Sequence, residues 1–196
     1  MKLHAHIFTV ALVALLLASV NQAAAQNKSR MTLPEIMATL KPGQWVQLEG
    51  SLQKDFSVLC NEVQILTGDF LDDDWSVSAV VRNVDRMKQE AQILRLPIKF
   101  KKDAEFQNKS AGVFKSLADV KAGMLIELEG TYLKDGTFLA KEIENESAKL
   151  EKKPKLKDEI QAVGKVEKVD AAKRTITLMG ITFQITDKTE GKSAVK

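Results

Sequence analysis

The sequence predicts an all-β protein with short helices: two small five-stranded barrels, the second assembled from the two ends of the chain. Three observations lead there. "KPGQWVQLEGSLQKDFSVLCNEVQ" (residues 41–64) is written again eighty positions later as "KAGMLIELEGTYLKDGTFLAKEIE". "AVVRNVDRMKQEAQILRLPIKF" (79–100) is likewise echoed by "GKVEKVDAAKRTITLMGITFQI" (164–185). The order of the pieces along the chain is first pattern, second, first, second. Only the middle two therefore stand in the order second pattern, then first.

In the first pattern Gly43 matches Gly123, Gly50 matches Gly130, Asp55 matches Asp135 and Glu62 matches Glu142. It opens with a short helix. Thr32 is placed to cap it, Pro34 lies in its first turn, Glu35 stands three residues after the cap, and Gly43 ends it. "VFKSLADVKAG" holds the same place in the later copy. Two strands follow. Ile126, Leu128 and Tyr132 alternate with Glu127 and Glu129, as Val46 and Leu48 alternate with polar neighbours. Such alternation marks strands buried on one face. Gly50 and Gly130 interrupt it, and the returning strand changes parity between Ala140 and Ile143, so a bulge is expected there. "KDG" at 134–136 is a hairpin turn; Phe56 stands where Gly136 does, so the earlier turn is expected to differ.

The second pattern reads as three strands, near 160–169, 174–179 and 181–186. Val81 matches Val166 and Asp85 matches Asp170. Further on, Ile98 is aligned with Ile181 and Phe100 with Phe183 after a two-residue shift, which puts Arg95 in the slot of Leu178. The middle pieces then give five strands with a helix between the third and fourth, the arrangement of an OB-fold barrel. The first and last pieces are each a sheet fragment with open edges and little core. They are expected to close an OB-like barrel from 31–63 plus 159–190 beside the continuous one at 75–146, with 147–158 as a lysine-rich linker. Pairing between two molecules, as a swapped dimer, is the alternative to pairing within a monomer.

The start of the chain predicts export. Lys2 precedes an uncharged apolar run, Ile7 to Val20, and Ala23 and Ala25 suit a signal peptidase. A secretory signal peptide over 1–25, cleaved near Ala25–Gln26, places the mature protein in the periplasm or outside the cell. The run is shorter than the about 20 apolar residues a spanning helix needs, and no transmembrane segment follows. His4 and His6 both fall in this segment, so the mature chain has no histidine. Its one cysteine, Cys60, permits no intrachain disulfide. Histidine-based nucleophilic catalysis, His/Cys zinc sites and dithiol exchange all lose required groups. No catalytic residue, metal site or cofactor is predicted, and the chain is not read as an enzyme. Beyond Lys2 the chain carries 28 basic side chains against 26 acidic, a balance that points to no particular partner.

Candidate binding residues are few. Trp45 and Trp75 each begin a strand, and Trp45 has the parity opposite to Val46; it either stacks on a ligand or packs at a barrel end or between the barrels. Lys149, Lys152, Lys153, Lys155 and Lys157 could hold a polyanion, although they have no interleaved aromatics, so nucleic acid is not the expected partner. A soluble linker is the simpler reading. Asp72 to Asp74 lack the rest of a calcium loop, and Cys60 takes the slot of Ala140, where a small buried residue fits.

"GMLIELEGTYLKDGTFLAKEIE" and "AVGKVEKVDAAKRTITLMGITFQIT" resemble the exported bacterial OB-fold repeats grouped as a domain of unknown function. Gly164, Val166, Val169 and Asp170 carry its G-x-V-x-x-V-D, Thr175 to Phe183 its T-I-T-L hairpin, and Gly123, Ile126 to Gly130 and Asp135 to Ile143 the rest. Phe56, Cys60, Arg95 and Pro97 depart from it. The resemblance implies export and a barrel, and it brings no catalytic residues. The resulting expectation is a non-enzymatic binding or structural protein of the cell envelope, with an envelope protein or glycan as partner; the alternative is a polyanion binder using Lys149–Lys157.

Overall fold

The computed structural model describes residues 30–55, 57–108 and 113–193. The segment expected to be a signal peptide and the residue Phe56 lie outside them. Among the described residues there are thirteen strands in one continuous sheet and two short α-helices, α1 (Leu33–Thr39) and α2 (Ala148–Lys152). None of these helices is long and apolar enough to cross a membrane.

Five consecutive strands form a closed ring. They are β4 (Trp75–Asp85), β5 (Glu90–Ile93), β6 (Leu96–Asn108), β7 (Leu125–Tyr132) and β8 (Phe138–Asn145). The first three form an antiparallel meander, β6 pairs parallel with β8, β8 antiparallel with β7, and β7 returns antiparallel to β4. Closure leaves no unpaired edge along this circuit, which removes the liability of an open sheet. Alternate residues point inward, so Val77, Val81, Ile93, Ile98, Ile126, Leu128, Phe138 and Ile143 are all fully buried. The parity change in β8 has a visible cause. The register slips between Glu129 and Gly130, and a Cβ on Gly130 would lie 2.1 Å from the Leu139 carbonyl oxygen. Only glycine lets β7 and β8 approach this closely.

The other strands come from both ends of the chain: β1 (Arg30–Met31), β2 (Trp45–Leu52), β3 (Val58–Ile65), β9 (Glu159–Lys165), β10 (Lys168–Asp170), β11 (Thr175–Leu178), β12 (Ile181–Gln184) and β13 (Glu190–Ser193). β2 pairs with β3 and, over its other edge, with β9. β3 pairs parallel with both β12 and β13, and β1 covers the outer edge of β13. α1 begins with the expected capping box of Thr32 and Glu35, and the place of the expected second helix is taken by a single 3₁₀ turn, Leu117–Asp119.

The registers of these terminal strands repeat those of the ring. Gly50 faces Ile160 as Gly130 faces Trp75. The Gly43 amide donates to Val166 O and the Val166 amide to Gln44 O, both at 2.8 Å; Gly123, Val81 and Met124 make the same two bonds at 2.9 Å. The earlier hairpin, Gln53 N to Ser57 O, closes with the same bond as Leu133 N to Thr137 O, both 2.8 Å. The expected two-residue shift in the second pattern is not there. Leu94 and Met179 both adopt positive φ, 53° and 51°, as do Gln89 and Arg174 at 56° and 52°. Ile93 therefore corresponds to Leu178, Leu96 to Ile181 and Ile98 to Phe183, all buried, while Arg95 corresponds to Gly180. The apparent shift came from matching isoleucine to isoleucine; the turn residues, not the side-chain names, set the register.

Ring and terminal strands are joined by an antiparallel ladder between β4 and β9: Ser76 with Val163, Val77 with Ala162, Ser78 with Gln161, Ala79 with Ile160. The two strands thus satisfy one another's otherwise open edges. Trp75 lies over Gly164, where a Cβ would come within 2.2 Å of the indole. We expect Gly164→Ala to destabilise the fold by about 1–3 kcal/mol, the usual cost of overfilling a packed core. Denaturant unfolding followed by tryptophan fluorescence checks this, and Trp75→Leu should recover part of the loss in the double variant; an unchanged midpoint would contradict the close approach.

Candidate functional site

The junction between ring and terminal strands is flanked by the two connectors that cross it, 66–74 and 146–158. The first carries an aromatic cluster. Phe70 stacks on Trp45 with centroids 4.8 Å apart, Trp45 lies 5.3 Å from Trp75, and Trp75 lies 5.5 Å from Tyr132. The Lys165 ammonium stands 5.5 Å from the Trp45 ring centre. Trp75 is only 7% exposed, and Trp45 is half-buried. The structure therefore brings the two predicted tryptophans together, and their faces are occupied by protein rings. Burial and the nearby Glu167 and Asp135 carboxylates push the Tyr132 phenol up from its ordinary value. Glu167 in turn accepts from the Gly180 amide at 3.1 Å.

Three of the four aspartates of this connector, Asp72 to Asp74, are held by the protein. Asp72 pairs with Lys165 at 3.2 Å, Asp73 with Lys141 at 3.0 Å, and Asp74 accepts from the Leu71 amide at 2.7 Å. Hydrogen bonding and charge from Lys141 hold the Asp73 carboxyl below its ordinary range. These groups fasten the connector to both parts of the sheet, β8 through Lys141 and β9 through Lys165.

The second connector contains α2 and a 3₁₀ segment, Pro154–Asp158, which packs against β4 and β9. It carries the five lysines. Lys149 is paired with Glu146, whose side chain is 4% exposed, and Lys157 lies 3.9 Å from Asp158. Lys152, Lys153 and Lys155 are exposed and make no ion pair among the described residues. Beneath this connector lies a cavity of about 280 Å³ lined by Glu49, Asn61, Ser78, Leu125, Glu146, Lys149, Leu156, Glu159, Ile160 and Gln161, with the Gly50 backbone. Polar and charged groups form most of its wall, while Leu125, Leu156 and Ile160 supply apolar surface. Sequence reasoning found Lys149 and none of the others. The eighty-residue repeat holds a signal for them, since Leu125 occupies the place of Trp45 and Asn61 that of Lys141.

Glu127, Glu144 and Glu146 bring one carboxylate oxygen each within 4.8 Å of one another, with Glu146 already engaged by Lys149. Cys60 lies elsewhere. It is 2% exposed and faces Gly50 across the β2–β3 slip, as Ala140 faces Gly130. Burial pushes its thiol pKa up to about 12, Glu49 and Glu62 add to the rise, and backbone hydrogen bonding at Glu62 opposes it. A protonated, covered thiol is a poor nucleophile. We expect no reaction of the native protein with Ellman's reagent at pH 8, and one equivalent of thiol released in denaturant. Rapid native labelling would contradict the burial of Cys60.

Fold and site together define a mostly β protein, a closed five-stranded ring extended by strands from both chain ends, with one cavity-bearing junction and one aromatic junction. A protein-family model described as a domain of unknown function, DUF5666, matches residues 78–144 and 163–195, together 100 of the 196 residues. The chain belongs to that family. No curated protein matched it, and neither did any solved structure.

Proposed function

We propose that the chain is an exported, non-enzymatic binding protein of the cell envelope, built from two OB-like barrels that bind through the groove between them. The ring is one barrel in this reading. The terminal strands are the other, with β9 and β10 as a single bent strand running through Val166. The repeated registers support the second barrel, since every strand pair of the ring has a counterpart among the terminal strands. The observation that carries the binding role is the groove beneath the second connector. It is a concave, mixed polar and apolar surface at a junction between units, where ligand sites concentrate.

A permuted chain tests the architecture. Arg30 already pairs with Lys192, so a short linker from Ser193 to Arg30, with the chain reopened at Lys153, makes both barrels continuous in sequence. It should fold with a melting temperature close to that of the parent; failure to fold while the parent does would count against two complete units.

Export and binding have their own test. Expressed in a Gram-negative host, the protein should be recovered from the periplasm beginning at Gln26. An uncleaved cytosolic product would overturn the compartment. A fraction of an envelope extract should protect the amides of Asn61, Ser78 and Gln161 from hydrogen exchange, and Glu159→Lys should abolish the effect. The second reading, a polyanion binder, is favoured by one observation: Lys152, Lys153 and Lys155 project from an ordered connector without ion-pair partners among the described residues. Protection confined to 149–157, with heparin retention lost on changing those lysines to Gln, would establish that reading instead.

A further inference from the structure

The two connectors leave their strands in the same way. The Leu66 amide donates to Trp45 O at 3.0 Å, and the Glu146 amide donates to Leu125 O at 2.9 Å. Each donor stands eighty positions from its counterpart, and so does each acceptor. Both connectors then run to the start of the next strand, β4 or β9, and the places they cross correspond residue by residue. Ile160 takes the place of Trp75, Leu125 that of Trp45, and Asn61 that of Lys141.

Only the first connector fills its place. There, a short irregular segment of the chain lays Phe70 on Trp45, and the aspartates of the turn that follows bond to Lys141 and Lys165. That arrangement is a bound peptide supplied in cis: one apolar side chain in the slot and nearby charged side chains clamped by the walls. At the other place the larger rings are replaced by Leu125 and Ile160 and the lysine by Asn61, and the cavity of about 280 Å³ is left. This is at the small end of ligand sites, enough for one or two side chains. The clamp has also changed sign. Glu49, Glu146 and Glu159 line the wall against a single ammonium, Lys149, which is itself paired with Glu146.

We propose that this groove takes a peptide segment of a partner protein, in which an apolar side chain stands close to a lysine or arginine. The apolar side chain lies against Leu125, Leu156 and Ile160, and the cationic group meets Glu49 and Glu159. Complementary charge fixes the register and orientation of such a segment more than it adds affinity. The inference deepens the binding role proposed above and rests on it.

A bead-displayed library of random heptapeptides, presented to the full-length mature chain, tests it. The retained sequences should be enriched in apolar residues close to Lys or Arg. A fluorescein-labelled peptide chosen from them should shift the backbone amide resonances of Ser78 and Gln161. Its binding should weaken at least tenfold in Asn61→Lys, which installs the lysine of the filled side, and also in Glu159→Gln. Both positions are exposed, so neither change threatens folding. Enrichment of acidic peptides, or binding indifferent to both substitutions, would overturn the assignment. If Ser78 and Gln161 respond to chitotetraose and to no peptide, the peptide fails and the groove survives as a glycan site. Silence of both amides toward every probe removes the groove altogether.

Discussion

Strand β9 holds the molecule together. Along Ile160–Val163 each residue is paired on one edge with β2, from the beginning of the chain, and on the other with β4, from the ring. Buried backbone groups left without partners cost about 1–3 kcal/mol each. A handful of them equals the whole net stability of a domain, about 5–15 kcal/mol. Without β9 the ring would keep its closure but expose the first half of β4, and β2 would lose one entire edge. The junction is therefore a shared ladder with a shared core, in which Trp75, Val77 and Ala79 face Ile160, Ala162 and Gly164, and it differs in kind from two domains touching across water.

The same ladder explains the glycines. Gly164 has no side chain because the Trp75 indole lies over it, and the symmetrically placed pair is Ala79 with Ile160, again small against large. Gly50 and Gly130 serve a different need, the slip that lets one strand of each hairpin bend around its core. Cys60 and Ala140 follow from that slip, since only a small side chain fits opposite it. One local constraint thus accounts for the cysteine without any redox role.

Much of this was legible in the chain because its strand patterns are written twice. Period-two alternation located the strands of the ring, the glycine interruptions located the slips, and Thr32 with Glu35 located α1. The misplacement of Arg95 shows the limit. Sequence similarity aligned like side chains, whereas the structure aligns residues of like backbone conformation, and leucine and methionine at positive φ give no warning in a sequence. The junction was out of reach for another reason. Which edge of β4 meets which edge of β9 is a non-local pairing with no periodic signature. Phe70 in an irregular connector looks like any loop aromatic until it is seen lying on Trp45, and the groove exists only because two distant connectors of unequal length cross equivalent ground.

The position of β9 in the chain has a consequence for biosynthesis. β2 and β3 leave the ribosome about a hundred residues before the strand that completes them. At the usual elongation rate of about 5–20 residues per second, they wait on the order of 5–20 seconds with naked edges while the ring, wholly encoded between them and β9, is already able to close. A nascent chain in that condition is a client for chaperones that shield sticky strands.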